Sequence, residues 1–189
     1  MDIRSFLAFE LPRDVRTILE RVALEAREYD LPVKWVKVQN IHLTMVFLGN
    51  VSPDVLEPIK EQAQSACLEF GPFSAAIGGM GTFPNRRNPR VLWLGLKGEL
   101  ERLSLFRDAL QQNLGPFGIK VEKRPFRPHL TLGRFRKGKG KGLEELLSRY
   151  EEVKSPSSML SELVLFQSDL KPTGAVYTRL AAWPLSGAK

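Results

Sequence analysis

The chain has two histidines, and both open the same tripeptide: Ile41-His42-Leu43-Thr44-Met45 and Pro128-His129-Leu130-Thr131-Leu132. At ordinary usage of Leu and Thr, two given histidines both begin His-Leu-Thr in roughly one of tens of thousands of sequences. Each tripeptide lies in an apolar/polar alternation that reads as a strand. Side chains alternate along a strand, so His42 shares a face with Thr44 and His129 with Thr131, while the leucines turn inward. A free imidazole titrates near neutrality, so of two at one site one can be neutral and the other protonated. The neutral ring takes a proton from a nucleophile and the protonated ring gives one to a leaving group. Phosphoryl displacement sets the entering and leaving oxygens roughly in line. Two matched His-Thr pairs suit that geometry, with the hydroxyls donating to the non-bridging oxygens. The residues therefore point to metal-free phosphoester cleavage, with His42, His129, Thr44 and Thr131 as the catalytic set.

Composition narrows the alternatives. Neither histidine has a His or Cys partner at ligand spacing, so neither a metal nor a cofactor is expected. The single Cys67 excludes an intrachain disulfide and reads as a small buried hydrophobe in a helix. The 189 residues suit one domain, or two small lobes sharing a core. No apolar run approaches the ~20 residues that span a bilayer, and the first residues lack a signal-peptide pattern. A cytoplasmic monomer without membrane contact is the expectation. The net charge of +7 favours an anionic partner. The cations are grouped, in Asn85-Arg86-Arg87-Asn88-Pro89-Arg90 and around His129 from Lys120 to Lys141.

Periodicity places the elements that must hold the four residues. Strands are expected over 3–10, 33–38, 40–48, 73–79, 90–96, 119–122, 126–135, 159–167 and 176–183, and helices over 13–29, 52–69, 99–114 and 143–150. The order of elements roughly repeats, one histidine strand in each half. Helices mixed with short-turned strands indicate α+β with antiparallel sheets. The arrangement expected is a single domain over 1–189, two pseudo-twofold lobes facing a cleft with helices outside. Arg134 and Arg127 are candidate phosphate ligands. Simple alternation puts Arg134 on the face opposite His129 unless a bulge redirects it. Trp35 and Phe9 are candidate stacking surfaces for a terminal base, whereas Phe47, in phase with Leu43 and Met45, is assigned to the core.

The motifs resemble a known family. His-x-Thr twice, about half the chain apart, is similar to the two-histidine (2H) phosphoesterases. The stretches Asn40-Ile41-His42-Leu43-Thr44-Met45-Val46-Phe47-Leu48-Gly49 and Arg124-Pro125-Phe126-Arg127-Pro128-His129-Leu130-Thr131-Leu132-Gly133-Arg134 resemble its RNA 2′,3′-cyclic phosphodiesterase branch. So do Arg4-Ser5-Phe6-Leu7-Ala8-Phe9-Glu10-Leu11-Pro12, Gly81-Thr82-Phe83-Pro84, and Ser168-Asp169-Leu170 followed by Gly174 and Tyr177. One small departure is Gly133, where alanine is common. The resemblance implies a bilobal fold with two antiparallel sheets lining a central cleft. It implies opening of a 2′,3′-cyclic phosphate at an RNA 3′ end, tRNA-like fragments included, to leave a 2′-phosphate. It further implies His42 as proton donor, His129 as proton acceptor, and weak 2′-5′ ligation in reverse. Two other readings stand beside it: a 2H esterase acting on a small cyclic nucleotide or 2′-5′ oligoadenylate, and a non-catalytic RNA- or nucleotide-binding module.

Overall fold

Strand β1 (Ile3–Phe9) is apolar on both faces and buried over most of its length, which is what a central strand requires. A computed structural model, describing residues 1–172 and 174–188, places it between two neighbours. Helix α1 (Arg13–Ala26) follows Pro12 directly, carries Asp14 in its first turn, and buries Val15, Leu19, Val22, Ala23 and Ala26. Strand β2 (Val33–Trp35) is shorter than expected, because the chain bends into a 3₁₀ turn, Val38–Asn40. Then come β3 (Leu43–Val51), α2 (Leu56–Glu69), β4 (Phe73–Phe83), β5 (Val91–Gly98), α3 (Leu100–Leu114), β6 (His129–Phe135) and α4 (Leu143–Arg149). Strands β7 (Ser158–Leu160), β8 (Glu162–Lys171) and β9 (Gly174–Pro184) complete the described chain.

The strands form two antiparallel sheets, ordered β3-β1-β8-β9 and β2-β6-β5-β4-β7. One apolar core draws on both: Leu7, Phe9 and Leu43 from the first, Phe73, Leu92, Leu94 and Leu130 from the second, and the inward faces of the helices. A smaller cluster, Phe6, Ala8, Val164 and Phe166 with Tyr177 and Ala182, lies apart from that core. Alternation puts it on the opposite face of the first sheet.

Two expectations fail for identifiable reasons. Residues 119–122 form no strand. Two buried side chains of α3 satisfy their backbone instead: Arg107 donates to the Glu122 and Arg124 carbonyls, and the Gln111 side-chain oxygen accepts from the Glu122 amide. The expected strand over 159–167 is two strands in different sheets: Leu160 pairs with Phe73 of β4, Leu163 with Phe9 of β1. Both halves bury apolar residues, so periodicity cannot register the change of partner. Among the described residues no helix is long and apolar enough to cross a membrane.

Candidate active site

Both histidines are held in the same way. His42 Nδ1 lies 2.8 Å from the Asn40 carbonyl, and His129 Nδ1 lies 2.7 Å from the Arg127 carbonyl. A carbonyl only accepts, so each Nδ1 carries the hydrogen and donates it two residues back. That leaves both Nε2 atoms to hold or receive a proton. Asn40 is itself anchored, its side-chain amide donating to the Ala175 carbonyl of β9 at 2.8 Å.

The aromatic surroundings differ. The His42 ring stacks on Phe6 at 4.6 Å and meets the edge of Tyr177 at 5.3 Å. His129 meets the edge of Phe83 at 4.9 Å. Thr44 stands opposite Ala8, on the Phe6 face of the first sheet. Thr131 stands opposite Trp93 and His129 opposite Gly95 on β5. Directly paired residues point the same way, so each His-Thr pair occupies one sheet face, as alternation predicts.

The next residues depart from alternation, and in the same manner in both halves. Thr44 pairs with Ala8, but Val46 pairs with Leu7. Thr131 pairs with Trp93, but Gly133 pairs with Leu92. Each histidine strand therefore carries one extra residue just after its threonine, a β-bulge that reverses the phase. Five positions past its histidine, each strand then returns a side chain to the site face. In β6 that residue is Arg134, opposite Val91 of β5 and Lys34 of β2. In β3 it is Phe47, opposite Phe6 and 66% exposed. Phe47 is thus exposed on the Phe6 face of the first sheet and not in the core.

Arg134 acts electrostatically on groups of both sheets. Its charge acts on His129 and also on Tyr177, the ring that touches His42. Burial lowers both imidazole pKa values below the ordinary histidine range, opposed in each by the bond to the backbone carbonyl. For His129 the Arg134 guanidinium lowers it further; among the described residues no such cation acts on His42. Burial raises the Tyr177 phenol, and the charges of Arg134 and Arg4 pull it back down.

The remaining candidates fall elsewhere. Phe9 is wholly buried between Phe73 and Phe106 in the core, so it has no face to offer a base. Trp35 pairs with Gly133, on the face away from Arg134, where it packs against the core under the Arg27 guanidinium. The Arg127 side chain is exposed on irregular chain, and its observed contact with His129 is through its carbonyl. Part of the basic group around His129 is engaged locally, Arg124 with Glu122 and Lys139 with Glu144. Sequence reasoning missed Phe6, Phe166 and Tyr177 as the aromatic floor. The Arg4-Phe6-Ala8 alternation was the available signal, but nothing in it marked that face as the one toward the site. A pocket of about 230 Å³ adjoins His42, with Gln39, Asn40, Phe166 and Tyr177 in its wall. Burial pushes the Cys67 thiol up to about 12, so it is no nucleophile near neutrality. Among the described residues no group of three His, Cys, Asp or Glu side chains is placed to hold a metal ion.

Comparison with known proteins gives a consistent result. The 2′-5′ RNA ligase superfamily matches over residues 12–172. A protein of Methanothermobacter thermautotrophicus named RNA 2′,3′-cyclic phosphodiesterase is 34% identical, the match covering 98% of this chain and 100% of that protein. One of the same name from Aquifex aeolicus is 29% identical, with 98% of each covered. Among solved structures, TT0787 of Thermus thermophilus superposes with a TM-score of 0.81 at 29% identity, covering 99% of this chain and 100% of that one. E. coli LigT complexed with 3′-AMP shares the fold, with a TM-score of 0.77 at 24% identity and coverage of 98% and 99%.

Proposed function

The chain belongs to the 2′-5′ RNA ligase superfamily, and from that premise we propose that it hydrolyses the 2′,3′-cyclic phosphate at an RNA 3′ end to a 2′-phosphomonoester. The observation that carries this reading is the matched Nδ1–H···O=C bond on both histidines. It leaves Nε2 of each ring to carry or receive a proton, and the reading assigns one to give a proton and the other to take it.

In the reaction, water attacks phosphorus and loses a proton to His129 Nε2. The bond to the 3′ oxygen breaks, and the protonated His42 supplies that oxygen's hydrogen. The Thr44 and Thr131 hydroxyls donate to the non-bridging oxygens, and Arg134 binds the phosphoryl charge. The cycle ends with His129 protonated and His42 neutral, and exchange with solvent resets both. The twofold motif alone cannot say which ring is the base. Arg134 supports the assignment, because a cation beside His129 favours its neutral form. Phe47 offers an exposed ring for the terminal base. The net charge of +7 favours a polymer over a small cyclic nucleotide. The reading takes the enzyme to be a cytoplasmic monomer of one bilobal domain. Weak 2′-5′ ligation to a 5′-hydroxyl then follows by microscopic reversibility.

Phosphorus NMR of a cyclic-phosphate-ended oligonucleotide tests this. The ring signal is expected to give way to a 2′-monoester. An unopened ring, or a 3′-monoester, would overturn the reading. His42→Ala and His129→Ala should each lower kcat by about 10²–10⁴. A wild-type rate in either variant would end the acid–base pair.

A further inference from the structure

The first strand carries a guanidinium that the reaction above does not use. Along β1 the alternation puts Arg4, Phe6 and Ala8 on one face, and Phe6 stacks on His42. Register with β8 is uninterrupted there, Ser5 opposite Gln167 and Phe6 opposite Phe166. The irregularity near Phe6 lies in the pairing with β3, where Ser5 meets Gly49 and Phe6 meets Phe47, so the extra residue belongs to β3. Continuing the β8 register sets Arg4 beside Ser168, which pairs with Tyr177 of β9. Arg4 therefore stands in the Tyr177 row, one residue pair or about 6.7 Å beyond the ring that supports His42. Its charge acts on Tyr177, as Arg134's does from the other sheet.

Two further facts set Arg4 apart. Arg179, the neighbouring cation on that face, is held by Glu10 and Glu162 at 3.0 and 2.5 Å. Arg4 is exposed, and among the described residues no carboxylate pairs with it. It also lines an open depression of about 890 Å³ at this end of the strand, with Asp2, Asn50, Ser168, Asp169 and Lys171 in its wall. An exposed guanidinium one residue pair along the strand from the ring that stacks on His42 suits the next charge along a nucleic-acid strand. In an RNA end that charge is the phosphodiester on the 5′ oxygen of the terminal ribose. A free nucleoside cyclic phosphate lacks it.

We propose that Arg4 binds the phosphodiester on the 5′ side of the terminal nucleotide, and so makes the site prefer an RNA end to a free nucleoside cyclic phosphate. The proposal rests on the cyclic-phosphodiesterase reading and names the group that selects its substrate. Its test is the ratio of kcat/KM for a dinucleotide with a 2′,3′-cyclic end to that for the nucleoside 2′,3′-cyclic phosphate. One charge-assisted contact is worth about tenfold or more in that ratio. Arg4→Gln should lose that factor and Arg4→Lys should recover part of it. Replacing the internal linkage by an uncharged methylphosphonate should lower the wild-type ratio equally, and change nothing further in Arg4→Gln. A ratio that survives in Arg4→Gln would overturn the proposal, as would equal loss on both substrates, which leaves the ratio intact. A wild type that opens neither substrate would instead bring down the catalytic reading, and this one with it.

Discussion

Arg134 lies beside one imidazole of a matched pair, and that single charge has kinetic consequences. The base must be neutral to accept a proton and the acid must be protonated to give one. With both pKa values held below the ordinary histidine range by burial, both limbs of the kcat/KM profile move to the acid side. The rising limb follows loss of the His129 proton and the falling limb loss of the His42 proton. The maximum for free enzyme is therefore expected below pH ~6.5. Bound phosphate is anionic and favours imidazolium, so the kcat profile should sit at higher pH than that of kcat/KM. In Arg134→Gln the His129 pKa rises, and the rising limb should shift upward. A pH–rate series on wild type and variant checks the order; a kcat/KM maximum above pH 7 would contradict it.

At the scale of the element, the decisive device is the paired bulge. Without the extra residue in β6, Arg134 would face the core with Leu132, and the guanidinium would be lost to the groove. Gly133 belongs to that device. A Cβ there would press on Val33 Cγ1 and the Lys34 carbonyl of β2, so the close approach of β2 and β6 requires glycine's lack of a side chain. Gly133→Val is expected to destabilise the protein by about 1–3 kcal/mol through overpacking and to lower turnover by moving Arg134. Denaturant unfolding beside steady-state kinetics checks both; wild-type stability would show that β2 gives way freely.

For the whole molecule, the histidine strands must be held at fixed separation, and the shared core does this. Phe106 of α3 is wholly buried and packs on Phe9 of the first sheet at 5.9 Å and on Phe73 of the second at 5.4 Å. Phe106→Ala should cost about 3–5 kcal/mol. Because the ring joins both sheets, the loss should appear as one cooperative transition at lower temperature. Calorimetry showing two separated transitions would mean that the sheets are stabilised independently.

The repeated His-x-Thr, the strand alternation around it and the amphipathic helices are local patterns. From them alone followed the four groups proposed for the chemistry, their pairing on two sheet faces, and the α+β class. What local patterns do not contain is the partner of each strand. Register decided that Arg134 and Phe47 turn to the same sheet faces as the His-Thr pairs, since a bulge is defined by two strands against one extra residue. Long-range packing decided that Phe9 is enclosed, that the run after Ser158 divides between sheets, and that Arg107 and Gln111 replace a strand at 119–122. A chain's periodicity reports which residues seek burial, but only the folded molecule determines what buries them.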